Sequence, residues 1–296
     1  MPSIAKLQAP IRVRTPAKIT PYLQVLAQRP DGYHDVRLAL IPISLFDELI
    51  FTQCAGAQPM LSVESTQPLG SVEDNLVYRA IMAFQRAVED PVGVAVHLVK
   101  RIPAGSGLGG GSGNAAGTLV TLNRLAQQPL AEERLRRIAA ELGADVPFFL
   151  NPRPSRAEGR GDRLRVLPGF PELSLLIVQP AFAIETRMAY AQVRPRPRED
   201  LSDPSSFDEM VGAMENDFES VLFPQYPLLE EIKVRLLEAG AAGALLTGTG
   251  SALFGCFLDE GLRDQAHARL QGDARWQVFP CEVLPRHDYH PLNPAP

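Results

Sequence analysis

Residues 103 to 118 read Pro-Ala-Gly-Ser-Gly-Leu-Gly-Gly-Gly-Ser-Gly-Asn-Ala-Ala-Gly-Thr, a density of glycine that no packed strand or helix interior would choose. Without a Cβ the backbone reaches positive φ and brings its N–H groups close to a guest. On its C-terminal side comes an apolar helical face, Ala115, Leu119, Leu122 and Ala126, with Ser112 or Asn114 as the expected N-cap. On its N-terminal side stands the alternation Val92, Val94, Val96, Leu98, a strand that runs through Lys100 into the loop. A loop rich in N–H groups between a strand and a helix start is an anion site, and phosphate is the expected guest.

Two familiar phosphate loops fit poorly. Gly105-Ser106-Gly107-Leu108-Gly109-Gly110 matches G-x-G-x-x-G, but a dinucleotide fold needs a second strand ending in an acid. A second helical face, Leu135, Ile138, Ala139 and Leu142, stands there instead. The Gly-Lys-Ser/Thr of the P-loop does not occur. A flexible surface linker would carry glycine and serine without the flanking strand and helix.

The 296 residues suit two domains better than one core, and Pro168-Gly169-Phe170-Pro171 marks the expected seam. With 45% hydrophobic and 21% charged residues the composition is that of an ordinary globular protein. No apolar run reaches the roughly 18 residues of a membrane span, and Met-Pro-Ser-Ile-Ala-Lys lacks the apolar stretch of a secretory signal, so a cytoplasmic location is expected. Cys54, Cys256 and Cys281 are widely spaced and read as reduced. A net charge of −5 argues against a nucleic-acid surface but not against a small phosphate held by local N–H groups, a lysine or two and a metal ion.

Along the chain, residues 11 to 27 read as extended, and Lys18 among small and apolar neighbours is either partly inside or snorkelling. The Pro-Asp-Gly turn then delivers Tyr33 and His34 side by side, able to stack on and hydrogen-bond a flat ring, or simply a core tyrosine beside an exposed histidine. Residues 36 to 52 suggest two strands around a short connection, and Asp74 a cap for a helix facing inward through Val77, Ala80, Ile81, Phe84 and Val88. Gly143 stops the second helix after the loop. Asp145 stands next, before an apolar strand, as a turn residue or a buried functional carboxylate.

The second half reads as a strand at Leu173 to Val178, a helix from Ile184 to Val193 and a mobile loop over 194 to 209. A helical region then opens at Asn216, a helix ends at Gly240, and a glycine turn at 247 to 250 leads into a strand to Leu258. A helix near 260 to 270 and a strand at Trp276 to Phe279 complete it, and His287 and His290 read as a loose end rather than metal ligands.

Three separated motifs, Pro16-Ala17-Lys18, Pro103 to Ala116 and Thr247-Gly248-Thr249-Gly250, together resemble the GHMP kinase superfamily. Within it, Asp31-Gly32-Tyr33-His34, Glu73-Asp74-Asn75, Leu108 to Ala116, Gly143 to Pro147 and Asn216-Asp217 resemble the kinases of a cytidine-diphosphate methylerythritol in the non-mevalonate isoprenoid pathway. The resemblance implies an α+β (mixed α/β) two-domain fold, with an ATP-binding unit over 1–168 and a ferredoxin-like substrate-side unit over 169–296. It implies ATP as co-substrate with Mg²⁺, phosphorylation of the 2-hydroxyl of the acceptor, and a monomer or weak homodimer without nucleic-acid or membrane partners. Other acceptor alcohols, or a non-catalytic ligand-binding member of the fold, are the alternatives.

By the same resemblance Asp145 takes or orients the acceptor's hydroxyl proton, and Lys18 keeps that carboxylate ionised and neutralises phosphate charge. Gly105, Ser106, Gly107, Leu108, Gly109, Gly110, Gly111 and Ser112 are expected to cradle the ATP phosphates, with Pro103, Ala104 and Gly113 also in the ATP site, Asn114 where the loop turns into the helix and Asn75 and Lys100 bordering the adenosine. Tyr33 and Tyr190 are expected to sandwich the cytosine while His34 bonds its edge, and Thr186, Thr247, Gly248, Thr249 and Gly250 border the acceptor. Four positions depart from the family's pattern, one of them Gly117 in place of a threonine. Gly113 replaces a serine near the phosphates, Thr20 an asparagine and Ser106 a glycine, so no side chain at 113 is expected to hold the metal, and Mg²⁺ is expected on phosphate oxygens and water.

Overall fold

The computed structural model describes residues 9–54, 59–89, 93–126 and 129–284. The chain opens with β1 (Ile11–Ile19), β2 (Tyr22–Gln28) and β3 (His34–Gln53), then β4 (Met60–Glu64), α1 (Leu76–Ala87), β5 (Val94–Val99), α2 (Gly110–Leu125), α3 (Glu132–Leu142), α4 (Val146–Phe149), β6 (Ser155–Gly159) and β7 (Arg163–Val166). The second half adds β8 (Ser174–Pro180), α5 (Thr186–Gln192), α6 (Phe207–Gly212), β9 (Glu215–Asn216), α7 (Glu219–Leu222), α8 (Pro227–Glu238), β10 (Gly243–Leu246), β11 (Leu253–Phe257), α9 (Glu260–Leu270) and β12 (Trp276–Glu282).

β3 is the spine of the first sheet. Residues 34–40 lie between β2 and β6, and the stretch beyond pairs with β1 and β5, all antiparallel. Two strands were expected over 36 to 52; a single strand of 20 residues is present. Where the short connection was expected there is a bulge: Pro16 pairs with Phe46 and Ala17 with Ile43, leaving Ser44 and Leu45 over. Pro16 has no N–H for the ladder, so the irregularity falls where a hydrogen bond is missing anyway.

α1 and α2 cover this sheet. Val77, Ala80, Ile81 and Phe84 recur at helical spacing and bury with Leu119, Leu122, Leu49, Phe51, Val96 and Leu98, each large apolar side chain contributing about 1.5–3 kcal/mol. Asn75, not Asp74, caps α1, its Oδ1 accepting from Val77 N at 2.9 Å, while Asp74 turns back to Ser71. α2 begins at Gly110 with Gly109 as N-cap (φ 72°), so Ser112 and Asn114 lie inside the helix and do not cap it. The apolar run after Asp145 is the one-turn α4, not a strand; Pro147 at its start suits a helix and not a ladder.

The second sheet is antiparallel with order β10-β11-β8-β12, and its β-α-β-β-α-β element sequence is ferredoxin-like. Alternation divides β8 between two cores. Leu175 and Ile177 meet Phe254 together with Ala39, Ile41 and Ile43 of β3, whereas Leu176 and Val178 face Leu229, Ile232, Leu236, Ala266 and Leu270 of α8 and α9. The halves are also tied by backbone, since β9 adds to the first sheet parallel to β2, with Leu23 opposite Asn216. The helical region expected to open at Asn216 therefore starts later, at α7. Val92, His287 and His290 lie outside the described residues. No helix among the described residues is long and apolar enough to cross a membrane.

Candidate active site

A cleft of about 600 Å³ opens where the first sheet, the glycine-rich loop and the 247–250 turn converge. Lys18 enters it from the end of β1, just past the bulge, and its side chain is buried rather than snorkelling. Its ammonium donates to Thr20 Oγ1 at 3.1 Å, and Thr20 N donates to Thr247 Oγ1 at 3.1 Å, so the threonine that departs from the family pattern orients the lysine. Burial pulls Lys18 below the ordinary lysine value and the negative charge of Asp145 opposes that pull. The two do not form a contact ion pair among the described residues.

Asp145 sits at the N-cap position of α4 without spending its carboxylate on a cap. Phe148 and Phe149 behind it are buried, and Phe149 packs under Gly109 and Gly113, so the acid and the loop share a support. The loop itself is docked on both flanks: Lys18 N donates to Leu108 O at 2.9 Å and Ala252 N to Ser106 O at 3.0 Å. Ser106 is no disruption, since its hydroxyl donates to Pro103 O at 2.7 Å and accepts from Leu108 N at 3.3 Å. Gly107 has φ +80°, and a Cβ there would lie 2.2 Å from Thr247 O, so the two glycine turns touch through bare backbone. The N-terminus of α2, uncapped by any side chain, faces the cleft through Gly109, Gly110, Gly111 and Ser112. Its free N–H groups and helix dipole favour an anion.

Asn75, Pro103, Ala104, Gly105, Thr186, Tyr190, Gly248 and Thr249 also line the cleft. Thr186 and Thr249 join their hydroxyls at 3.1 Å. Lys100 lines it too, but its ammonium is held by Asp47 at 2.7 Å and by Ile102 O. Burial lowers its pKa and Asp47 counteracts that. Leu108, Gly113, Thr247 and Gly250 are behind the cleft wall instead. Leu108 is a core residue, Thr247 is buried against Thr20, and Gly250 N bonds Thr247 O. A Cβ at Gly113 would meet Pro16 O at 2.9 Å and the Phe149 ring. The expectation that position 113 omits a hydroxyl near the phosphates is thus corrected: the position points into β1. Asn114 is buried in α2, bonded to Asp47 and Thr15.

Of the two rings expected to sandwich a base, Tyr190 packs with His34 and Tyr33 with Arg160. His34 lies against Tyr190, ring centroids 5.2 Å apart, and Tyr190 packs edge-on to Phe218. Burial, then the charge of Asp145, push the Tyr190 phenol upward, so it stays neutral. Tyr33 stands 55% exposed with the Arg160 guanidinium 3.5 Å above its ring. Arg160, from the β6–β7 turn, also lines the cleft, and no motif marked it beforehand. Two further residues had been given no role in the site, Asn216, which the sequence marked only by family resemblance, and Asp47. Asn216 Nδ2 holds Leu246 O and Gly248 O at 2.7 and 2.8 Å, fixing the second glycine turn. Asp47, an acid inside an apolar strand, was the available signal for the other.

Comparison with known proteins agrees with this geometry. The model of the GHMP kinases N terminal domain matches residues 75–152 and that of the GHMP kinases C terminal region residues 198–274. A 4-diphosphocytidyl-2-C-methyl-D-erythritol kinase of Syntrophus aciditrophicus is 37% identical over 278 residues, covering 91% of this chain and 98% of that protein. One of Porphyromonas gingivalis is 39% identical over 267 residues, with 88% and 96% covered. The crystal structure of a 4-(cytidine 5'-diphospho)-2C-methyl-D-erythritol kinase matches with TM-score 0.80 at 32% identity over 93% of this chain and 100% of that one. Homoserine kinase from Cytophaga hutchinsonii, at TM-score 0.67, 16% identity and 96% and 97% coverage, shares the fold alone. The chain belongs to the GHMP kinase superfamily and, within it, to the family of 4-diphosphocytidyl-2-C-methyl-D-erythritol kinases.

Proposed function

We propose that the chain is an ATP-dependent kinase that transfers the γ-phosphoryl group to the 2-hydroxyl of 4-diphosphocytidyl-2-C-methyl-D-erythritol. The observation that carries this is the convergence of Lys18, Asp145 and the uncapped start of α2 on one cleft. Phosphoryl transfer asks a protein for alignment and charge neutralisation. The loop from Gly105 to Ser112 holds the phosphates with its N–H groups, Asp145 accepts the hydroxyl proton as the new O–P bond forms, and Lys18 neutralises charge on the transferring group. The bond from the γ-phosphorus to its bridging oxygen breaks, and ADP leaves. Thr186, Thr249 and Tyr190 border the acceptor, whose cytosine is read by Tyr33, His34 and Tyr190. In this reading residues 1–168 supply the nucleotide side and 169–296 the wall opposite.

Mg²⁺ would supply the remaining charge neutralisation, with Asp145 as the cleft carboxylate that could help hold it. Among the described residues no group of three or more His, Cys, Asp or Glu is set to hold a metal, and Asp145 is the carboxylate among those lining the cleft. That lining fits an ion that would be carried mainly on phosphates and water, with Asp145 as the one cleft carboxylate that could direct it.

A coupled ADP-release assay with ATP, Mg²⁺ and either the cytidine-diphosphate compound, mevalonate or homoserine tests the reading. Turnover is expected with the first alone; turnover only with another alcohol would overturn the acceptor. Asp145→Asn is expected to lower kcat by at least about 10²-fold, the lower end for loss of a positioned base, while ADP still binds.

A further inference from the structure

We infer that Asp47 is a positioning residue for the nucleotide phosphates, clamping the two limbs of the glycine-rich loop from beneath without touching substrate. Its carboxylate is wholly buried on β3. Oδ1 accepts from Arg101 N at 2.7 Å and Ile102 N at 2.8 Å, and Oδ2 from Lys100 Nζ at 2.7 Å and Asn114 Nδ2 at 2.9 Å. Four donors fill the acceptor sites of one carboxylate.

These donors come from both sides of the loop. Residues 100 to 102 are the last before Pro103, and Asn114 lies in the second turn of α2. Asn114 Oδ1 in turn accepts from Thr15 Oγ1 at 2.6 Å, tying the same point to β1. The first residue of α2 rests on the clamp as well, since a Cβ at Gly110 would lie 2.9 Å from Lys100 Nζ. One carboxylate therefore sets the distance between the chain entering the loop and the helix leaving it. Lys100 is occupied as its counter-ion. Charge-assisted bonds in a dry site hold geometry tightly, and removing one partner strands the others.

This inference rests on the phosphate-cradle reading, and its test separates the two. ADP affinity is measured by isothermal titration on the full chain, alongside thermal unfolding and the KM for each substrate. In Asp47→Asn the amide oxygen can still accept from the backbone, but its NH2 meets two donors, Lys100 and Asn114. Roughly tenfold weaker ADP binding, a matching rise in the KM for ATP and an acceptor KM within about twofold are expected. The double variant Asp47→Asn/Asn114→Asp, which restores a carboxylate–amide pair, is expected to recover most of the affinity. Lowered thermal stability with unchanged ADP affinity and KM would make Asp47 merely structural and overturn the inference. Should Asp47→Asn fail to fold, Asn114→Ala keeps the Asp47–Lys100 pair and cuts one limb; unchanged ADP affinity there also overturns it. Wild-type protein that binds no ADP would instead overturn the phosphate cradle.

Discussion

Two loops of this molecule, both irregular and both pinned by carboxylates, are held by opposite means. One is the loop before α2 and the other the stretch of residues 194–206 before α6. In the first, Asp47 bonds backbone N–H groups and Lys100 with no exposure to solvent. In the second, Arg198 meets Glu215 and Asp217, Asp200 meets Arg156 and Arg37, and Asp203 meets Arg165, with the Asp200 side chain 71% exposed. The mobile loop expected over 194 to 209 is thus stapled, helped by Arg196 N on Val25 O at 2.9 Å, and its last residues belong to α6. The difference is water. A buried pair feels a low dielectric and resists salt, while a wet one is screened. The dry device underlies the glycine-rich loop; the wet one ties its stretch to β3, β6, β7 and β9.

The largest effect should come from Gly107→Ala. Positive φ and a Cβ at 2.2 Å from Thr247 O leave no room, so strain and overlap are expected to cost about 1–3 kcal/mol each, with ADP binding lost and the unfolding temperature lowered. Native ADP affinity in a stable variant would show that the loop yields, and would erase the contrast. Gly113→Ser should cost about 1–3 kcal/mol of stability in denaturant titration by overpacking against Pro16 and Phe149, with no change in the Mg²⁺ dependence of turnover. A lower Mg²⁺ requirement would return position 113 to the site.

The smallest effect concerns the stapled stretch. Its hydrogen bond to Arg156 holds the Asp200 carboxyl below the ordinary value. Its contribution is therefore full above the unfolded value of about 3.9 and is lost as pH falls through the lower folded one. Deuterium uptake over 195–205, corrected for intrinsic rate, should rise on acidification and in about 1 M salt, while residues 103–112 stay unchanged. Equal responses from both loops would remove the distinction.

How much the sequence could show depends on range. The loop, the inward faces of α1 and α2, and the alternation in β5 are local patterns, and each is present. Asp47 was illegible because its partners Lys100 and Asn114 lie 53 and 67 residues away; a single acid in an apolar run says only that something must satisfy it. Val146-Pro147-Phe148-Phe149 was misread because an apolar run of that length has no period to separate strand from helix. Asp74 and Asn75 are equally able caps, and only the backbone direction chose between them. Tyr33 and His34 stood out as a pair in the sequence, yet their partners Arg160 and Tyr190 did not follow from it, and Arg160 comes from a hairpin with no motif of its own.

The two-residue strand β9 has a consequence for how the chain is made. Until Glu215 and Asn216 leave the ribosome, β2 has an unpaired edge, even though every other strand of its sheet has been synthesised. A nascent chain paused after residue 168 thus exposes a template for pairing with a neighbouring copy. Fragments ending there should be sticky, and the kinase becomes safe from its own kind only when its second half has begun to fold.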